Sequence, residues 1–225
     1  MLTIEEVIGL IPEGGIMSII QRDIESSGDK YGLLLLKKLL ESDKFVFVFL
    51  YEPFTIFLKN ISNIGVNIDN YLNKNLEIFD VFGTMNKIER KRPGIHILPG
   101  YMDDMIFIGK LREWAKAILD KRELEREVWI MTYMSSGTCK LFANPLLTYK
   151  MIWFLREEGI KKVEPKTKTR TIITYSYPEC PILEDTIYFS SDIVIETMVL
   201  DNKKVGIMTK GPMEGTIFEL FKEGV

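Results

Sequence analysis

An α/β fold, with a mainly parallel sheet flanked by helices and a C-terminal antiparallel meander, is what this sequence predicts. Three observations carry the prediction. The runs Lys44–Tyr51 (KFVFVFLY) and Glu127–Met134 (EVWIMTYM) are apolar with almost no polar alternation, the pattern of strands covered on both faces. Such runs alternate along the chain with longer helical segments. Towards the C-terminus the alternation gives way to strand patterns joined by short turns at Asp201-Asn202 and Gly211-Pro212, which reads as a meander.

The elements follow in order. A short helix over Ile4–Leu10 leads into a turn at Ile11–Gly15, then a strand over Gly15–Ile20. Gln21–Asp29 is a polar loop. Tyr31–Glu41 reads as a helix, with Lys37 and Lys38 towards the end where positive charge suits the dipole. Strand Lys44–Tyr51 is broken by Glu52-Pro53, and Phe54–Ile64 is an amphipathic helix. Leu76–Phe82 and Ile95–Leu98 are strands, and Asp103–Glu125 holds a long helix capped by Asp103 or Asp104. After strand Glu127–Met134, helix Pro145–Glu158 is expected to close at Gly159. Arg170–Tyr175 is the next strand, and beyond Ile182–Tyr188 the pattern changes to the strands 192–200, 203–209 and 216–221. With no repeat, low-complexity tract or linker, residues 1–225 read as one domain.

Composition narrows the function classes. Hydrophobic residues make up 46% and charged residues 27%, a globular balance. A formal net charge of -3 and a pI near 5.5 supply no global positive field, so nucleic acid is not an expected partner. The apolar runs are too short to span a bilayer, and acids stand where a signal peptide carries bases. The expectation is a cytoplasmic protein with no membrane partner. A single glutamine, Gln21, beside plentiful Lys and Glu is the balance of proteins from very hot environments. Cys139 and Cys180 have no CxxC spacing and no histidine partners, so no metal site is expected. They read as two small buried or half-buried residues, with a disulfide as the alternative that hyperthermophile cytosol tolerates. His96 is the only histidine and lies in the short strand PGIHILPG. It reads as structural, which removes most nucleophile–histidine chemistry.

The segments GLIPEGGIMSII, GLLLLKKLL and KFVFVFLYEP, in that order, resemble the opening of RecA/RadA/KaiC-type ATPases. The tail SSDIVIETMVLDNKKVGIMTKGPMEGTIFELFKEGV is similar to the terminal hairpins of KaiC-like proteins. The chain also resembles a small family of uncharacterised proteins from Pyrococcus-like archaea. The resemblance implies a RecA-like fold with a phosphate-binding loop after the first strand.

That loop departs from the family pattern. A phosphate loop G-x-x-x-x-G-K-[ST] turns glycine N–H groups, a lysine and a magnesium-holding hydroxyl towards phosphate. The corresponding stretch is Asp23-Ile24-Glu25-Ser26-Ser27-Gly28-Asp29-Lys30-Tyr31-Gly32. Asp23 replaces the first glycine, Asp29 separates Gly28 from Lys30, and Tyr31 stands where Ser or Thr is required. Three carboxylates at about 4–6 Å from triphosphate would cost several kcal/mol at an effective dielectric near 20. The fourth-strand motif Val128–Ser136 carries no acid to reach magnesium. Glu52, where the family keeps its water-activating Glu, reads as a relic or a structural cap. The implied outcome is a degenerate P-loop with no cofactor, no catalytic residues and no ATPase activity.

Other constellations read as structure. The basic stretch around Lys161, Lys162, Lys166, Lys168 and Arg170 has no aromatic to stack bases and reads as a solvated loop, as does Glu89-Arg90-Lys91-Arg92. Asp103 and Asp104 read as caps. Phe45, Phe47, Phe49 and Tyr51 form a period-two stripe that suits core packing. A crevice at the carboxyl ends of the parallel strands would be lined by Gln21, Thr132, Tyr133, Ser135, Tyr175 and Tyr177. The functional expectation is a non-catalytic scaffold or regulator that binds a protein or peptide segment there, with self-association through edge strands as a further expectation. The alternative is a protein that takes a nucleotide or other small ligand in an altered pocket through Lys30, with or without enzymatic activity.

Overall fold

The computed structural model describes residues 2–100, 102–121, 127–134, 137–163 and 168–221. Its strands are β1 (Ile16–Gln21), β2 (Phe45–Leu50), β3 (Leu76–Asp80), β4 (Ile95–His96), β5 (Val128–Met134), β6 (Thr169–Ser176), β7 (Ile193–Leu200), β8 (Lys203–Lys210) and β9 (Ile217–Glu219). All join one mixed sheet in the order β4-β3-β2-β5-β6-β1-β7-β8-β9. Neighbours from β4 to β7 pair in parallel, and β7-β8-β9 pair antiparallel. The parallel sheet and the terminal meander both stand as the sequence predicts.

Helices α1 (Ile4–Gly9), α2 (Gly28–Glu41) and α3 (Phe54–Asn63) cover one face of the sheet. In α2, Leu33, Leu36 and Leu40 sit at helical spacing and are at most 2% exposed, packed against Ile19, Val48 and Met131 of the sheet. Each such leucine stabilises the fold by roughly 1.5–3 kcal/mol. Gly32 lets α2 lie close on β6, because a Cβ there would come within 2.1 Å of Thr174 Cγ2. The other face is covered by α5 (Asp104–Lys121), α6 (Pro145–Val163) and α7 (Glu184–Ser190), with a short helix α4 (Val81–Met85) after β3. Phe47, Phe49 and Tyr51 face this second layer. Phe47 and Phe49 rings lie 5.1 Å apart and Phe49 stacks on Phe79 at 5.3 Å, so the aromatic stripe of β2 is core.

Several boundaries differ from expectation for identifiable reasons. Residues 81 and 82 leave the strand because Asp80 caps α4, its Oδ1 accepting from Gly83 N at 2.6 Å. Helix α2 begins at Gly28 and not Tyr31, since Ser27 takes a left-handed φ of 58° and turns the chain directly into the helix. Gly159 does not end α6, which continues to Val163; an interior glycine costs only about 1 kcal/mol. Asp103 caps α5 through Ile106 N at 2.8 Å, whereas Asp104 ties α5 to the start of α6, accepting from Asn144 N at 2.9 Å and Thr148 Oγ1 at 2.8 Å. Pro53, not Glu52, occupies the cap position of α3, so Glu52 does not cap that helix. His96 Nε2 lies 2.6 Å from Glu77 Oε2 and packs edge-on to Trp114, a structural placement.

The cysteines are bridged: Cys139 and Cys180 form a disulfide with Cα atoms 5.2 Å apart. This replaces the expectation of two separate thiols. A spacing of 41 residues carries no pairing signal, and only the adjacency of β5 and β6 brings the two together. Among the described residues no helix is long and apolar enough to cross a membrane, and no group of His, Cys, Asp and Glu converges to hold a metal ion.

Candidate functional site

Strands β1, β2, β3, β5, β6 and β7 all run the same way, so the segments that follow them gather at one end of the sheet. The turn between β1 and α2 lies at the middle of this end. Gln21, buried at the last position of β1, accepts from Asp29 N through Oε1 at 2.9 Å and donates to the Ile24 carbonyl at 3.3 Å. One side chain thereby ties the strand, the turn and the first turn of α2 together.

The turn is filled from inside. Ser26, fully buried, donates to the Asp23 carbonyl at 2.6 Å and shares a hydrogen bond of 2.8 Å with Thr197 Oγ1 of β7. Backbone bonds from Ser26 N to Asp23 O at 3.1 Å and Ser27 N to Ile24 O at 3.2 Å close a 3-10 turn at Ile24–Ser26. A Cβ on Gly28 would meet Thr197 Oγ1 at 2.3 Å, so β7 occupies the space beside the helix start. Asp23 faces β7 and accepts from Val199 N at 3.1 Å. Glu25 is exposed, and Asp29 is half-buried in the first turn of α2, where its charge suits the dipole.

Lys30 and Tyr31 both pack against Phe221. Lys30 Nζ lies over the Phe221 ring at 5.3 Å, joined by Lys204 Nζ at 5.8 Å, and Lys204 also donates to Ser27 Oγ at 2.6 Å. Tyr31 is 2% exposed against Phe218 and Phe221, its hydroxyl without a hydrogen-bond partner, and burial raises its pKa well above the usual phenol range. A hydroxyl enclosed in this way is directed into the core.

The structure does not gather the residues expected to line a crevice around one point. Gln21 is engaged with the turn and α2, whereas Tyr177 lies against Arg22, whose guanidinium stacks over its ring at 4.9 Å and pairs with Glu196 at 2.8 Å and Glu184 at 2.5 Å. Two carboxylates hold the Arg22 pKa above its ordinary value, the Glu196 hydrogen bond contributing most. Thr132 lies half-buried on β5, its carbonyl accepting from Thr174 Oγ1 at 3.3 Å. Tyr133 is fully buried on the α2–α3 face, edge-on to Phe57 at 5.7 Å. Tyr175 is buried on the opposite face, and its hydroxyl donates to the Cys180 carbonyl. Tyr133 and Tyr175 therefore present their rings to opposite layers. Ser135 lies outside the described residues, as does Lys166, and the side chains of Lys161 and Lys162 are likewise not described.

The remaining charges serve structure. Arg90 pairs with the fully buried Asp80 at 2.6 Å, Arg92 pairs with Asp69, and Lys168 pairs with Glu13 at 2.5 Å. Arg170 pairs with Glu127, donates to the Ile11 carbonyl at 2.8 Å and lies over Trp129 at 5.5 Å. Sequence reasoning missed Arg22, Glu184, Glu196 and Thr197. Their partners are more than 150 residues apart in the chain, and no local signal marks them.

No family model matches the chain, and no curated protein matches it either. Solved structures do. An uncharacterised protein from Pyrococcus horikoshii, crystallised in complex with an unknown peptide, is similar with a TM-score of 0.72 and 22% identity, over 96% of this chain and 91% of that one. A KaiC-like protein from the same hyperthermophilic archaeon gives a TM-score of 0.57 and 13% identity, over 93% and 86% of the two chains. The fold is KaiC-like.

Proposed function

We propose that this KaiC-like chain is a non-catalytic binding module that takes a peptide or extended protein segment at the carboxyl end of its sheet, and that its phosphate loop is degenerate. The observation that carries the reading is the closed turn after β1. Asp29 N is engaged by Gln21 and Ser26 by Thr197. The space beside Gly28 holds the Thr197 hydroxyl. A phosphate loop works by directing free backbone N–H groups and a magnesium-holding hydroxyl at the anion. Here those roles fall to a sealed turn bearing Asp23, Glu25 and Asp29, with the hydroxyl of Tyr31 enclosed in the core.

The similar Pyrococcus protein, crystallised with an unknown peptide, supports a peptide as occupant. The paired cations Lys30 and Lys204 beside Ser27 favour a second reading, in which a small anionic ligand or nucleotide binds an altered pocket. Mass spectrometry of material released when the purified protein is unfolded, followed by titration of the synthesised peptide, tests the first reading. A defined peptide bound one to one and cross-linking to Tyr177 is expected. Release of nothing, with no binding from a random peptide pool, overturns it.

A further inference from the structure

The disulfide lies at the edge of the second core layer and joins two loops. Strands β5 and β6 pair in unbroken register from Val128 with Thr169 to Met134 with Tyr175. The bridge lies beyond the end of that ladder. Cys139 belongs to a 3-10 turn, Thr138–Lys140, after β5. Cys180 lies between two 3-10 turns, Tyr177–Glu179 and Pro181–Leu183, after β6. The bridge thus constrains two loops at the sheet end.

Besides the bridge, the second loop is held by the buried Leu183 and by its own turn hydrogen bonds, and its outer part by polar and ring contacts. The Tyr175 hydroxyl donates to the Cys180 carbonyl, Glu179 Oε2 accepts from Gly137 N at 3.4 Å, and Arg22 stacks on Tyr177. The two cysteines are unequally enclosed: Cys180 is fully buried beside Leu183, whereas Cys139 is half-buried.

We infer that the Cys139–Cys180 disulfide is a thiol-operated latch on the two loops that follow β5 and β6, ordering residues 137–141 and 177–183 when oxidised and loosening them when reduced. A dithiol reductant operates it. One thiolate of the reagent attacks Cys139 Sγ, the protein S–S bond breaks, and Cys180 leaves as a thiolate that takes up a proton. The second thiol of the reagent then attacks its own mixed disulfide and frees Cys139. The protein gains two electrons and two protons, and the reagent departs as its cyclic disulfide. The consequence for peptide capture rests on the function proposed above: the ordered loops favour binding, and reduction weakens it.

Hydrogen exchange of the full chain, oxidised and then held reduced in dithiothreitol, reads the latch without any ligand. Amides of 137–141 and 177–183 are expected to speed up by at least about tenfold more than those of β5 and β6. A Cys139→Ala/Cys180→Ala variant should match the reduced protein and excludes an effect of the reagent. Equal acceleration of loops and strands, or no change in either, overturns the latch and makes the bridge a general staple. Exchange that follows the latch while neither redox form binds a peptide supports the latch and sinks the peptide reading alone.

Discussion

Ser26 Oγ and Thr197 Oγ1, 171 residues apart, share a hydrogen bond of 2.8 Å between two fully buried side chains. This contact stitches the turn after β1 to the neighbouring strand β7. It also fixes what can sit beside the start of α2, since Gly28 faces the same threonine hydroxyl.

The first prediction tests that crowding. Gly28→Ala places a methyl against Thr197 Oγ1, so it should destabilise the fold by about 1–3 kcal/mol despite the better helix propensity of alanine. Thr197→Ala alone should cost about 1–2 kcal/mol by leaving Ser26 short of a partner. The double variant should cost less than the sum, because the methyl then fills the vacated space. Urea unfolding of the four proteins checks the cycle, and strict additivity would refute the contact.

Legibility in the sequence divides along the range of the interactions. The apolar strands β2 and β5 and the leucine stripe of α2 announce themselves, because hydrophobic periodicity is local. The cap role of Asp103 was legible for the same reason. Helix α4 was not, because the decisive event is Asp80 folding back onto Gly83 N where a strand pattern continues through Phe82. The sealing of the turn by Thr197, the double pairing of Arg22 and the Cys139–Cys180 bridge all depend on which strands become neighbours. Sheet order is a global property that residues 21–29 alone do not encode.

A second prediction concerns Arg22. Arg22→Met keeps the stem but leaves Glu184 and Glu196 facing each other without their shared cation. After discounting for partial exposure, the loss should be about 1–2 kcal/mol. Glu196→Gln in the Arg22→Met background should recover part of it, as read from denaturation midpoints. Full independence of the two substitutions would contradict the shared pairing.

A third follows from the buried phenols. Burial is the leading cause that raises the pKa of Tyr31, Tyr51, Tyr149 and Tyr175 above the ordinary value. Their contribution is complete below about pH 10, where both folded and unfolded phenols are protonated. Above that pH the unfolded chain ionises first, so stability falls as pH rises, by up to about 1.4 kcal/mol per pH unit for each tyrosine. Absorbance titration near 295 nm should show these four ionising only with unfolding. Early, reversible ionisation of all nine tyrosines in the folded state would contradict the packing.

Calorimetric titration with ATP and magnesium tests the central claim most directly. A turn sealed by Gln21 and Thr197 and lined with three carboxylates should give no saturable heat at millimolar nucleotide. Saturable binding in the micromolar range, abolished by Lys30→Ala, would show that triphosphate still has a seat there and would contradict the account.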